Sequence, residues 1–361
     1  MANEIDIVQL LALTVERNGS DLHLCAGSHP MVRVNGNLAP LSEMILDAGI
    51  CRAFIYSILT EYQRARFEET LELDFALVVS NLGRFRCNAH FSRGVVEATF
   101  RYIPEQIPPL ESLGLPPVVK RLCSLKQGLI LITGITGTGK TTTLAAMIEE
   151  INRSRTGVIV TIEDPIEYVF SHNLSRIKQR EIGADTKSFP IALRHVLRQD
   201  PDVILVSEIS DLETISAAIS AAETGRLVLA ALHSGDAPNA IDRIVDAFPK
   251  ERQDQVVAQL VNSLQAVIVQ RLLPKADGTG RVVCTEIMVM NEAVRSCLRD
   301  RRFQSILGMI ELGGKDGMMT FDESVANLYS NGLISKDEAL LNARDPNRIN
   351  AVKPAKKGFF G

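Results

Sequence analysis

In the N-terminal part of the chain apolar residues sit at helical spacing or alternate with polar ones; further on they gather into short unbroken runs. Ile5, Val8, Leu11, Ala12 and Val15 predict a helix over residues 4–18, ending near Gly19. Asp21-Leu22-His23-Leu24 alternates as a strand does. Met31-Val32-Arg33-Val34 and Leu38-Ala39-Pro40-Leu41 flank Asn35-Gly36-Asn37, residue types that suit a tight hairpin turn. A helix is expected from about Ile50 to Phe67, then strands over 73–78, 83–90 and 95–102. Helices mixed with antiparallel strands, without a repeated βαβ order, predict a separate α+β domain over residues 1–103.

Pro104, Pro108, Pro109, Pro116 and Pro117 punctuate the next stretch, so 104–117 reads as a semi-stiff linker. Beyond it, apolar strand candidates at 129–133, 157–162, 203–207 and 227–233 alternate with helix candidates at 139–152, 188–199, 212–222 and 251–270. That alternation predicts an α/β domain with a mostly parallel sheet covered on both faces. Helices are expected again at 291–300, 301–312, 320–330 and 335–344, closing a second domain over 118–350. The tail, 351–361, contains Lys353-Pro354-Ala355-Lys356-Lys357-Gly358 and is expected to be basic, polar and mobile.

Composition narrows the classes. A chain of 361 residues with 46% apolar and 23% charged residues is long enough for two domains with real cores. Its net charge of -4 argues against a general nucleic-acid binder. No apolar run approaches bilayer-spanning length. Met1-Ala2-Asn3-Glu4-Ile5-Asp6 lacks the basic start of a secretory signal. Cys25, Cys51, Cys87, Cys123, Cys284 and Cys297 are dispersed, with no C-x-x-C pair, as expected of reduced thiols in the cytoplasm.

One stretch carries chemistry outright. Gly134-Ile135-Thr136-Gly137-Thr138-Gly139-Lys140-Thr141 fits G-x-x-x-x-G-K-[ST] at every fixed position. It follows the apolar run Leu129-Ile130-Leu131-Ile132 and precedes a helical stretch beginning with Thr142, which is the strand–loop–helix setting of a phosphate-binding loop. Glycines let successive N–H groups turn inward toward phosphate oxygens, and the helix N-terminus adds partial positive charge. The nucleotide set expected is Gly134, Thr136, Gly137, Thr138, Gly139, Lys140, Thr141 and Thr142. Lys140 would reach the β- and γ-phosphates of ATP, and the Thr141 hydroxyl would ligate Mg²⁺.

Such a loop needs acids at neighbouring strand ends. The strand Val158-Ile159-Val160-Thr161-Ile162 runs straight into Glu163-Asp164, either carboxylates at the ligand edge of an open sheet or a solvated acidic turn. Val203-Ile204-Leu205-Val206-Ser207-Glu208 has the shape of a Walker B strand, or of a plain buried strand with a polar end. His233 closes the run Leu227-Val228-Leu229-Ala230-Ala231-Leu232, and is either structural or a sensor of the γ-phosphate.

These motifs, with Thr161-Ile162-Glu163-Asp164-Pro165-Ile166-Glu167-Tyr168, the stretches 197–204, 211–215 and 222–225, and Leu232-His233, resemble the secretion ATPase superfamily. Gly83-Arg84-Phe85-Arg86 and Gly317-Met318-Met319-Thr320-Phe321-Asp322 narrow the resemblance to the type IV pilus retraction ATPases, over nearly the whole chain. The resemblance implies a homohexameric ring of subunits, each with a PAS-like N-terminal domain and a RecA-like ATPase domain. It implies that Glu163 is the catalytic glutamate, that Glu208 is the Walker B glutamate, and that both stand with Thr141 at Mg²⁺. His233 matches the family's His-box histidine, Arg86 and Arg101 its phosphate-reaching arginines, and Arg243 an interface arginine.

The chain departs from the pattern at Ser207 and Ser210, where Gly and Arg are usual, at Ser234-Gly235-Asp236, and over 293–300. The function expected is pilus retraction and twitching motility driven by ATP hydrolysis. It would take place at the inner face of the cytoplasmic membrane, against a platform protein. The rival is an accessory paralogue with weak ATPase activity that assists another retraction motor. A nucleic-acid translocase is disfavoured by charge and by the lack of an aromatic-basic stretch.

Overall fold

A computed structural model describes residues 6–34, 36–80, 82–103 and 106–352. The expected basic tail at 353–358, Asn35 of the hairpin turn, Ile5 of the first helix and Pro104 of the linker lie outside them. Contacts divide the chain into two units, one formed by Met1–Gln106 with Pro165–Val169 and the other by Ile107–Asp164 with Phe170–Gly361.

The first unit is α+β. Helix α1 (Ile7–Glu16) opens on a capping box in which Asp6 and Gln9 satisfy each other's backbone N–H groups. Strands β1 (Asp21–Leu24), β2 (Met31–Val34) and β3 (Asn37–Pro40) follow. The single helix expected over 50–67 is two helices, α2 (Ala48–Ile58) and α3 (Glu61–Thr70). The break has a local cause: Leu59 is extended, and Thr60 starts a new capping box with Gln63. Strands β4 (Glu72–Val79), β5 (Gly83–Ser92) and β6 (Val95–Ile103) complete an antiparallel sheet of order β3-β2-β1-β6-β5-β4. Leu22, Leu24, Phe85, Cys87 and Phe100 point from it into a core shared with Leu10, Leu11, Ile55 and Phe67 of the helices.

In the second unit, residues 110–113 form a 3-10 turn whose Leu110 is buried, and α4 (Val118–Cys123) follows. The sheet then builds through β7 (Gly128–Thr133), α5 (Lys140–Ser154), β8 (Gly157–Glu163), β9 (Ser175–Glu181), α6 (Phe189–Val196), β10 (Val203–Val206), α7 (Leu212–Glu223), β11 (Leu227–Leu232) and α8 (Ala237–Asp246). The helix expected over 251–270 is a correction: α9 (Lys250–Ser263) ends early, and β12 (Leu264–Pro274) takes the rest, paired with β13 (Arg281–Val289). Val267, Ile268 and Val269 are β-branched, and a central strand buries them on both faces better than a helix would.

The sheet order is β13-β12-β7-β11-β10-β8-β9, parallel except for the pairing of β12 with β13. Every residue of β7, β10 and β11 is buried, as expected of strands covered on both faces. Helices α10 (Glu292–Arg299), α11 (Ile306–Leu312), α12 (Phe321–Ser330), α13 (Lys336–Asn342) and α14 (Pro346–Ala351) follow the sheet. Both elements of the expected fold class, an α+β unit followed by a P-loop α/β unit with C-terminal helices, are present. Among the described residues no helix is long and apolar enough to cross a membrane.

Candidate functional site

Parallel pairing sets the site. Thr133 of β7 is level with Leu232 of β11, Ala230 of β11 with Val206 of β10, and Val206 with Ile162 of β8. The loop at 134–139, Glu163, Glu208 and His233 therefore all leave the sheet at the same edge, the carboxyl ends of its parallel strands, where ligands collect in open α/β sheets.

The loop is held by its own backbone. Gly134 has φ 145°, and a Cβ there would come within 2.5 Å of the Gln270 carbonyl oxygen and 2.6 Å of Thr138 Oγ1. No side chain fits at that place. Gly139 has φ 85° and delivers the chain into α5, which begins at Lys140. Thr138 Oγ1 donates to the Ile135 carbonyl at 2.9 Å, and Lys140 Nζ donates to the carbonyls of Gly134 at 2.9 Å and Ile135 at 3.0 Å. Thr141 and Thr142 sit half-buried in the first turn of α5. Behind the loop lies a cleft of about 360 Å³, lined in part by Thr138, Gly139, Thr142, Leu272 and Lys275.

His233 joins two of the expected groups. Its Nδ1 lies 3.5 Å from Lys140 Nζ, and its Nε2 lies 3.7 Å from Glu208 Oε1. An ammonium can only donate, so Nδ1 accepts, and the ring proton belongs on Nε2, toward the carboxylate. Arg243 of α8 donates to the His233 carbonyl at 2.7 Å, which fixes the backbone that carries the ring. Glu208 is 44% exposed at its side chain. A cleft of about 650 Å³ opens beside this group, lined in part by Ser210, His233, Asn239, Asp242 and Arg243.

Glu163 differs from Glu208. It is only 4% exposed, so the reading as a solvated acidic turn does not describe it; Asp164 is the exposed member of the pair. Its Oε1 accepts from Thr161 Oγ1 at 2.5 Å and from Gln179 Nε2 at 3.1 Å. Gln179 lies on β9, a strand the apolar pattern gave no sign of. Ser207 contributes another link, its Oγ accepting the Asp164 N–H at 3.2 Å and so tying the ends of β8 and β10 together.

Sequence reasoning also passed over Gln270 of β12. It donates to Thr143 Oγ1 of α5 at 2.8 Å, and its backbone carbonyl oxygen occupies the space a Cβ on Gly134 would need, so that the loop passes close to β12 only as glycine.

Arg86 and Arg101 belong to the first unit. They lie directly opposite each other on β5 and β6, both on the exposed face. Arg101 Nε donates to Asp21 Oδ1 at 2.8 Å. Burial pushes the Asp21 carboxyl up, but hydrogen bonds from Ser20 and Arg101 outweigh it and hold its pKa below the ordinary value. The cysteines are free thiols, five of them buried. Burial raises the pKa of Cys123 to about 12 and of Cys51 and Cys284 to about 11, which makes these three poor nucleophiles.

A P-loop between β7 and α5, with acids and a histidine at the neighbouring strand ends, defines the class: a P-loop nucleotide-binding α/β protein. The model of the family described as Type II/IV secretion system protein matches residues 115–312. The chain is 44% identical to the type IV pilus retraction ATPase PilT of Pseudomonas aeruginosa, across 95% of this chain and 99% of the relative. It is 39% identical to the type IV pilus ATPase PilU of the same organism, across 96% and 91%. A crystal structure of the pilus retraction motor PilT with bound ADP superimposes with a TM-score of 0.90 at 43% identity, covering 96% of this chain and 99% of that one. The chain belongs to the Type II/IV secretion system protein family and, within it, to the type IV pilus retraction ATPases.

Proposed function

We propose that this protein is an ATP-hydrolysing motor subunit that works as a homohexamer and drives type IV pilus retraction, and with it twitching motility. The observation that carries the reading is the group Lys140–His233–Glu208 at the mouth of the P-loop, beside a buried and doubly hydrogen-bonded Glu163. Kinship with the retraction ATPase of Pseudomonas aeruginosa over 95% of the chain supports the pilus assignment.

ATP is held by the N–H groups of the loop and by Lys140, which exchanges loop carbonyls for phosphate oxygens. The donor set suits Mg²⁺: a hydroxyl and carboxylates are hard oxygen ligands, and Mg²⁺ in such sites takes few protein ligands beside phosphate and water. Thr141, with Glu163 and Glu208, would hold it, and it would offset phosphate charge.

Glu163 is the general base. It takes a proton from water as the water oxygen bonds to the γ-phosphorus; the bond from that phosphorus to the bridging oxygen breaks, and ADP leaves. Thr161 and Gln179 aim its carboxyl. His233 lies between the lysine that meets the γ-phosphate and Glu208, and senses whether that phosphate is present. Arg86 and Arg101 supply positive charge to the phosphates. Two like charges held side by side on neighbouring strands oppose folding, and this supports a task outside the fold. Residues 104–117 serve as the linker between domains 1–103 and 118–350, with 351–361 as a tail. The protein acts in the cytoplasm at the inner face of the cytoplasmic membrane, with a platform protein and a paralogous ATPase as partners.

A second reading, an accessory subunit with weak turnover, is favoured by Ser207 and Ser210 at the acid edge and by the likeness to PilU. Turnover separates the two. The purified protein is expected to hydrolyse ATP, and Lys140→Ala to abolish hydrolysis with the fold retained. Deletion in the host is expected to give hyperpiliated, non-motile cells; bald cells would contradict retraction, and unchanged cells with a weakly active protein would favour the accessory reading.

A further inference from the structure

The turn that carries His233 is gripped from a distant part of the chain. Asp236 caps α8, accepting the Asn239 N–H at 2.9 Å, and the first N–H of that helix, on Ala237, donates to Glu286 Oε1 of β13 at 2.9 Å. Glu286 is 0% exposed. Its Oε2 receives no hydrogen bond among the described residues, but lies 3.3 Å from an Arg344 guanidinium nitrogen. The other nitrogen of the same fork lies 3.5 Å from Asp236 Oδ2. Arg344 thus spans the acid that caps α8 and the acid beneath its first N–H.

Arg344 is itself fixed. It sits between α13 and α14, and Asp322 of α12 accepts the backbone N–H groups of Arg344 at 2.7 Å and Asp345 at 3.0 Å. Its guanidinium also lies over the Phe321 ring, 5.8 Å from the centroid. Without that guanidinium, Glu286 and Asp236 would be two mutually repelling carboxylates at one helix start, one of them fully buried, with Arg271 as the cation still acting on it. Burial already pushes the Glu286 pKa up, so relief comes by protonation of Glu286 or by movement of the 233–236 turn, and in the second case His233 moves with it.

We infer that Arg344 is a positioning residue for the hydrolysis proposed above: by clamping Asp236 and Glu286 it sets the turn that keeps His233 between Lys140 and Glu208, and so ties the C-terminal helices α12–α14 to the nucleotide edge. Among the described residues Arg344 makes no hydrogen bond or ion pair with the P-loop; its partners are Asp236, Glu286 and Asp322, so it governs turnover more than ATP binding. The inference rests on the ATPase reading, and the two can fail separately.

The test measures ATP turnover by wild type, Arg344→Ala, Arg344→Lys and Glu286→Gln as assembled rings, with hydrogen exchange of residues 233–240 followed alongside. Displacement of a positioned group by about an ångström lowers rate by up to roughly a hundredfold, so Arg344→Ala is expected to lose roughly tenfold to a hundredfold in kcat with KM within about twofold. Arg344→Lys, which keeps the charge but not the fork, recovers part of that loss. The Ala237 and Asn239 amides exchange faster in the alanine variant. Wild-type kcat in Arg344→Ala, a raised KM with kcat kept, or unchanged exchange over 233–240 overturns the inference. Should Arg344→Ala not assemble, Glu286→Gln decides. It keeps an acceptor for Ala237 and removes the charge the fork grips, so a fall of several-fold in kcat is expected, and wild-type kcat overturns the clamp. Absence of turnover in the wild type overturns the ATPase reading instead.

Discussion

The edge of the parallel sheet in the second unit and the exposed face of the antiparallel sheet in the first are built on opposite principles. In the second unit β7, β8, β10 and β11 all run one way, so everything that follows a strand arrives at one edge. Residues far apart in sequence meet there with no need of their own: Lys140 at the start of α5, which follows β7, and Glu208 just after β10 both reach His233. In the first unit neighbouring strands run in opposite directions, and side chains alternate between faces. Phe85 and Cys87 face the core while Arg86 between them is exposed, and Phe100 faces the core while Arg101 beside it is exposed. Register, not strand direction, brings those arginines together. Parallel topology thus makes a pocket edge by default, whereas an antiparallel sheet makes a decorated face whose meaning depends on what meets it.

The comparison breaks most sharply at Glu163. If the edge of the parallel sheet is where chemistry occurs, Glu163→Gln keeps the shape and the hydrogen-bonded position but removes the base. Turnover is expected to fall at least about a hundredfold, with ATP still bound. Single-turnover hydrolysis together with nucleotide binding checks this. If Glu208→Ala proved damaging while Glu163→Gln left turnover intact, the base would have to be Glu208.

A smaller effect is expected from the exposed face. Arg86→Ala should lower turnover by roughly tenfold or more, less than arginine fingers lose in GTPases. We propose that in the hexamer Arg86 completes a site whose P-loop belongs to a neighbouring subunit. Mixed rings of Arg86→Ala and Lys140→Ala chains, each inactive or weak alone, should then regain part of the activity. Native mass measurement establishes that mixed rings form. Mixed rings without recovered turnover, set against an active linked dimer with one intact site per pair, would remove the support for action in trans.

The same contrast explains what the sequence made legible. The P-loop, the acids at the ends of β8 and β10, and His233 could be read because each follows a continuous apolar run, and a parallel sheet converts that order into position. Gln179 and Gln270 could not. Gln179 lies on β9, whose sequence Ser175–Glu181 is mostly polar, with Ile177 its one apolar residue. Gln270 lies on β12, which follows α9 without a turn signal, so the helical pattern reads on into it. A run of three β-branched residues, Val267, Ile268 and Val269, was the available sign of a strand. The Thr60–Gln63 capping box that splits α2 from α3 was likewise written in the sequence as T-x-x-Q, inside a stretch whose composition suits one long helix. The grip of Arg344 on Asp236 and Glu286 has no sequence signature, because it depends on where the start of α8 and β13 place their acids.

The smallest effect concerns what the exposed arginines cost their own sheet. Arg101 stands between Arg86 on β5 and Asp21 on β1, level with both. The repulsion on one side is offset by the ion pair on the other. Asp21→Asn removes that offset, and with it the carboxylate that accepts from Ser20 Oγ at 2.7 Å. Because Arg101 is well exposed, water screens much of the pair, and a loss of about 1 kcal/mol is expected. The sign with pH follows from the direction of the shift. The Asp21 pKa is lower in the folded chain than in the unfolded one, so its contribution is complete above the unfolded value, about 3.9, and is lost as pH falls through the folded one. Protection of the β1 and β6 amides, measured by hydrogen exchange in the full chain and corrected for intrinsic rates, should differ between wild type and Asp21→Asn near neutral pH. The difference should close below about pH 4 as the wild-type carboxylate protonates. A difference that persists unchanged at low pH would mean that Asp21 acts through its shape and neutral hydrogen bonds. The exposed face would then hold its two arginines without electrostatic help from β1.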